Sequence, residues 1–166
     1  MELVILNKYL KKSLVFLVLF MFVGFVVSCG NSSSSKKTSL STDEIYTKAV
    51  KGVELPSLQK LTNDELEALI KIKSSDVSDS TVYISMMNVK ATEIGIFKFN
   101  SSQQETSIDK SIDSRLKDLE TTWSTYLPDQ YELVKNVKKF RIGNVKGYVI
   151  SEEADKIVSN IESALK

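Results

Sequence analysis

The sequence predicts an α+β domain: a four-stranded antiparallel sheet built from two ββα units, with helices packed on one face and two short helices in front. Three observations predict it. Residues 81–87, 93–99, the end of 132–142, and 145–150 each carry a strand pattern. The strands pair off across short connections, residues 88–92 and the dipeptide Gly143 and Asn144. After each pair comes a segment whose apolar residues recur at helical spacing.

Taken in order, Ser41 and Glu44 have capping-box spacing and open a first helix, with Ile45, Ala49 and Val50 at helical intervals and Gly52 as its stop. Pro56 marks a turn. Thr62 and Glu65 repeat the capping spacing ahead of Leu66, Leu69 and Ile70. Residues 74–80 are polar and acidic and read as a loop. In 81–87, Val82, Ile84 and Met86 alternate with Tyr83 and Ser85. In 93–99, Ile94 and Ile96 point one way and Phe97 and Phe99 the other. Residues 100–106 are polar and take the chain away from the sheet.

The longest helix is expected over about 107–125, where Ile108, Ile112, Leu116, Leu119 and Trp123 recur at spacings of four, four, three and four. Pro128 prevents its continuation. Gly143 and Asn144 form a tight turn because both tolerate positive φ. Ser151 caps the last helix, Glu152 and Glu153 complement its N-terminal dipole, and Ala154, Ile157, Val158, Ile161 and Leu165 form its buried stripe.

The N-terminus reads as an address. Lys8, Lys11 and Lys12 precede an apolar run over 14–27, shorter than the roughly 20 residues of a spanning helix. The run ends in Val26-Val27-Ser28-Cys29-Gly30, which looks like a lipobox. The expectation is a lipoprotein signal peptide over 1–28, cleavage between Ser28 and Cys29, and diacylglyceryl and palmitate chains on Cys29. Two chains hold a protein stably, since each buried CH2 contributes about 0.8 kcal/mol and a single chain is marginal. Residues 29–40 then form a lipidated, serine-rich tether, and 41–166 a single domain. The expected location is the extracytoplasmic face of the cell membrane.

Composition narrows the function. The 166 residues hold 22 Lys+Arg, 21 Asp+Glu, one cysteine and no histidine. Removing residues 1–28, with Glu2 and three lysines, leaves 19 basic and 20 acidic residues. That balance lacks the basic excess of a nucleic-acid binder, so no nucleic-acid partner is expected. Without histidine or a free thiol, Ser-His-Asp and Cys-His catalysis and zinc sites built from cysteine and histidine are excluded. A carboxylate pair remains open to glycosidase-type chemistry, but a domain this small leaves little room for a cleft. Asp76-Val77-Ser78-Asp79 approaches a calcium loop without its spacing or glycine, and reads as solvated. No catalytic residue, metal or cofactor is assigned.

Three segments, Tyr83-Ile84-Ser85-Met86-Met87-Asn88-Val89, Glu93-Ile94-Gly95-Ile96-Phe97-Lys98 and Tyr126-Leu127-Pro128-Asp129-Gln130-Tyr131-Glu132-Leu133-Val134, resemble a family of uncharacterised Firmicutes lipoproteins catalogued as a domain of unknown function. The resemblance spans about residues 43–165, with Val137 a minor departure. It implies compartment, lineage and a small α/β domain, and supplies no activity or site residue.

The expected function is therefore a non-enzymatic binding or scaffolding module at the cell envelope. It is attached to the membrane through its lipid and recruits a protein or cell-wall partner. The alternative is a small enzyme or enzyme accessory acting on an envelope component through carboxylates. Tyr126, Pro128, Asp129, Gln130 and Tyr131 are the candidate partner-binding residues, because tyrosine is favoured at interfaces and loops carry function. The competing reading closes the core with the tyrosines and caps the turn with Asp129 and Gln130. Met86 and Met87 lie on opposite strand faces, so at least one is a candidate for exposure. Lys135, Lys138, Lys139 and Arg141 form a basic strip, which either protects an edge strand or faces anionic lipid or wall polymer.

Overall fold

The structure, a computed structural model, describes residues 37–166. The expected signal peptide, the Ser28–Cys29 cleavage site and the lipidated Cys29 lie outside the described residues. Helix α1 (Thr42–Ala49) opens with the expected capping box, Ser41 and Glu44 bonding each other's backbone N–H. Strand β1 (Leu58–Lys60) follows. Next comes the short helix α2 (Asn63–Glu65), capped by Thr62 and continued as a π-helical turn over Leu66–Ile70. The hairpin of β2 (Asp79–Ser85) and β3 (Glu93–Lys98) leads into α3 (Ser102–Trp123) and α4 (Pro128–Lys135). The second hairpin, β4 (Lys138–Ile142) and β5 (Val145–Ile150), leads into α5 (Ala154–Leu165).

The sheet has five antiparallel strands in the order β1-β2-β3-β5-β4, not four. The added strand, β1, pairs with the end of β2, Leu58 opposite Ser85. At three residues, two of them exposed, it is too short to show alternation. The first hairpin registers Tyr83 with Ile94, and the second pairs Ile142 with Val145 across Gly143, whose φ is +59°.

Helices cover both faces of the sheet, which corrects the expected single face. Ile94, Ile96, Val145 and Val149 pack with Ile45, Ala49, Ile157 and Ile161 of α1 and α5. Val82, Phe97, Tyr148 and Ile150 pack with Ile108, Ile112, Leu116 and Trp123 of α3. The reason lies in the central strands: β5 is buried along its whole length and β3 along nearly all of it. A strand apolar on both sides must be covered on both sides. It also follows that the two hairpin-plus-helix segments are not equivalent ββα units. A two-fold axis normal to the sheet would relate the hairpins yet leave α3 and α5 on one face.

Three helix starts also differ from the expectation. The polar stretch 100–106 is largely the first turns of α3, which Ser101 caps by accepting from the Gln104 N–H. Pro128 does not simply stop a helix; it occupies the first turn of α4, where its missing N–H costs nothing. The last helix begins at Ala154 with Glu153 at its cap, so Ser151 lies just outside and accepts from the Glu153 N–H.

Strand direction gives the domain two ends. At one end Thr38 N–H donates to Asn144 Oδ1 in the β4–β5 turn and Lys98 Nζ donates to the Leu40 carbonyl. The chain therefore joins the domain at this near end. The far end gathers the β2–β3 loop, the start of α4 and the segment between β5 and α5.

Candidate functional site

The segment 126–131 splits between core and surface. Gln130 is only 7% exposed, and its Oε1 accepts the buried Ala91 N–H at 2.9 Å. It is thus an internal strut between α4 and the β2–β3 loop, with little surface left for a partner. Tyr131 is half-buried against the core beneath α3. Tyr126, Pro128 and Asp129 are exposed. Tyr126 is 53% exposed, its ring 5.8 Å from that of Trp123. Asp129 and Gln130 do not cap the turn; Leu127 holds the cap position without a side-chain bond.

The β2–β3 loop that Gln130 supports carries the other exposed apolar side chains of this end. Met86 is 63% exposed, and Met87 and Val89 are exposed beside it. Both methionines lie beyond the end of β2, so strand alternation does not apply to them. Ser57 holds the loop from the β1 side, its carbonyl accepting the Met86 N–H at 3.0 Å.

Next to this loop lies a cavity of about 340 Å³, lined by Glu54, Leu55, Pro56, Lys90, Thr92, Glu152 and Glu153. Lys90 Nζ stands 3.6 Å from Glu152 Oε1. Carboxylates from the two ends of the domain sequence thus share one concavity. Among the described residues, no group of three His, Cys, Asp or Glu side chains is arranged to hold a metal ion. Asp76 and Asp79 have local roles instead: Asp76 accepts the Lys73 N–H and Asp79 accepts the Thr42 N–H.

A buried charged cluster sits behind the far end, under α3. Arg115 grips Glu93 with two bonds, Nε to Oε1 at 3.0 Å and Nη2 to Oε2 at 2.7 Å. The Tyr148 hydroxyl donates to the same Oε1. Burial, and then the Glu93 carboxylate, push the Tyr148 hydroxyl well above its ordinary value. Burial alone would lower Arg115, but its bonds to Glu93 more than offset this and hold it above its ordinary value. Gly95 makes the arrangement fit, since a Cβ there would lie 2.6 Å from Tyr148 Cε1. Arg115 and Tyr148 take up both oxygens of Glu93 and fix its side chain in place. Its signal was present as a glutamate on the core-facing side of a strand.

The basic strip is neutralised in place. Lys135 pairs with Glu132 at 3.0 Å, Lys138 with Asp155 at 2.9 Å, Lys139 with Asp113 at 2.7 Å and Arg141 with Glu105 at 2.8 Å. Three of the four lie on β4, an edge strand, where charge discourages pairing with another chain.

Residues 51–151 match the family described as Domain of unknown function (DUF4358). The chain belongs to that family. The DUF4358 match takes in all five strands, α3 and α4, and with them the β2–β3 loop, the charged cluster and most of the cavity lining. It leaves α1 and α5, the helices of the opposite face, outside. No curated protein and no solved structure matches the chain. Among the described residues, no helix is long and apolar enough to cross a membrane.

Proposed function

We propose that this DUF4358 protein is a lipoprotein held on the extracytoplasmic face of the cell membrane through Cys29. Its domain acts as a non-enzymatic binding module that recruits an envelope protein. The observation that supports the reading is the polarity of the domain. Met86, Met87, Val89 and Tyr126 are exposed at the far end, whereas the chain joins at the near end, where Thr38 is bonded to Asn144. Eight residues separate Cys29 from Thr38, a reach of at most about 30 Å. An anchor on Cys29 therefore attaches to the domain at the end away from the exposed apolar groups. Exposed apolar groups at one end of a domain suit an interaction surface, and methionine and tyrosine are favoured there.

In-cell crosslinking of the tagged protein, with mass spectrometry of what it captures, tests this reading. The expected result is a reproducible protein partner, lost in the variant Met86→Ser/Met87→Ser/Tyr126→Ser. Wall polymer in place of protein, or a capture pattern the variant leaves unchanged, overturns it. The anchor is tested separately: Cys29→Ser releases the protein or leaves it unprocessed, and an unchanged mature membrane form refutes the anchor.

A second reading, an enzyme or enzyme accessory acting through carboxylates, is favoured by the convergence of Glu54, Glu152 and Glu153 on one cavity. Product released from wall fragments in molar excess over protein, and abolished by Glu→Gln changes at these three positions, would select it.

A further inference from the structure

We infer that the far-end cavity is a binding site for a primary ammonium group carried on a short apolar chain. Its volume of about 340 Å³ falls at the lower end of the range for small-ligand sites. Three carboxylates, Glu54, Glu152 and Glu153, face one lysine, Lys90, so the lining carries a net negative charge. The Lys90–Glu152 pair is long at 3.6 Å and solvated on both sides, and an incoming cation displaces such a pair readily. Glu54 and Glu153 have no ion-pair or side-chain hydrogen-bond partner among the described residues, unlike Asp113, Asp118 and Glu132, each of which holds a lysine.

Thr92 points to a ligand independently. The residue is 5% exposed and lines the cavity. Its hydroxyl has no hydrogen-bond partner among the described residues, yet it is not sealed off from solvent. Nearly buried hydroxyls are normally satisfied, and here the cavity is where a donor or acceptor can approach. An ammonium offers three N–H donors, enough for the Thr92 oxygen and two carboxylates. Leu55 and Pro56 supply apolar wall for the methylenes behind it. The carboxylates do not form a metal-holding group, which favours an ammonium over a divalent cation, and their charge repels anions. The same chemistry is offered by a free alkyl diamine and by a lysine side chain of a peptide.

The test is titration of the full chain in detergent micelles with putrescine and, separately, with a blocked Gly-Lys-Gly peptide, read by calorimetry. Saturable one-to-one binding is expected for at least one of them. It weakens about tenfold in Thr92→Val and in Glu54→Gln/Glu153→Gln, as the loss of a charge-assisted hydrogen bond implies. Tighter putrescine binding identifies a free amine as the ligand, and tighter peptide binding a lysine side chain. No saturable binding of either, binding that both variants leave unchanged, or displacement by calcium at lower concentration overturns the inference. Should Thr92→Val unfold, the exposed glutamate pair carries the test. The site is independent of the apolar rim: Met86→Ser/Met87→Ser/Tyr126→Ser leaves amine binding intact whatever it does to partner capture.

Discussion

On the face covered by α1 and α5, the sheet contributes Ile94, Ile96, Val145 and Val149, and the hydroxyls of Thr42 and Thr81 bond each other there at 2.9 Å. On the face covered by α3, the strands contribute Phe97 and Ile150 but also Glu93, Lys146 and Tyr148. Each charge there has a partner from α3: Glu93 has Arg115, and Lys146 has Asp109 at 2.6 Å. One sheet is thus closed by two kinds of interface. On the α1 and α5 face most of the burial is apolar and non-directional, and α1 is tied to β2 by Thr42 and Asp43 near its start. On the charged face a shift of α3 along the sheet would leave buried charges unpaired. A buried ion pair adds modest net stability but makes any arrangement that separates it costly. The charged face therefore acts chiefly to fix the position of α3, and through it α4, Gln130 and the far-end loop.

The largest test of this contrast is Arg115→Met, which strands Glu93 in the core. The expected loss is about 3–5 kcal/mol, measured by urea denaturation. Adding Glu93→Gln should restore at least ~1 kcal/mol of it, and a double variant as unstable as the sum of the singles would show that the pairing does not matter. Next in size is Gly95→Ala. Its Cβ collides with the Tyr148 ring and should cost about 1–3 kcal/mol, with the additional loss of Tyr148 hydroxyl protection in ultraviolet titration. On the apolar face, Ile157→Val removes one methylene from a fully buried position and should cost only about 0.5–1.5 kcal/mol. A larger effect than that of Gly95→Ala would reverse the ranking of the two faces.

The smallest effects are pH-dependent and sit at the margins. Backbone and then hydroxyl bonds from Ser41 and Thr62 hold Glu44 and Glu65 below the ordinary carboxylate value of 4.5. A lowered folded value means their stabilisation is present above pH 4.5 and is lost as pH falls below it. Glu44→Gln should therefore flatten the acid limb of the urea midpoint against pH. Tyr46, stacked on Tyr83 at 3.7 Å, behaves in the opposite sense. Burial, then the neighbouring ring hydroxyl, raise it to about 12 from 10.0, so its contribution is present below pH 10 and lost as pH rises toward 12. Tyr46→Phe should remove that alkaline loss, and an unchanged alkaline limb would show that Tyr46 is not responsible.

Much of the secondary structure was legible from local chemistry. The capping boxes at Ser41 and Thr62, the Gly143 turn and the α3 stripe are set by residues within one or two turns of each other, so sequence spacing carries them directly. Helix α4 was also legible in part, since Leu127, Tyr131 and Val134 stand at helical spacing, and Pro128, which bars the interior of a helix, suits its first turn. Strand β1 was not legible, because Leu58–Lys60 has no pattern of its own and exists by pairing with β2.

Of the candidate site, the sequence supplied the residue types but not their sorting. Nothing in Tyr126-Leu127-Pro128-Asp129-Gln130-Tyr131 says that Gln130 turns inward to Ala91 while Tyr126 turns out. By itself the sequence determined the capped helix starts at Ser41 and Thr62, both hairpins and the exclusion of histidine chemistry, because these depend on near neighbours or on composition alone. Only the tertiary structure decided which face each helix covers, that Glu93 meets Arg115 and Tyr148, and that Glu54 and Glu152 border one cavity with Thr92. These are contacts between residues tens of positions apart, set by packing the whole sheet on both sides, and no local spacing encodes them.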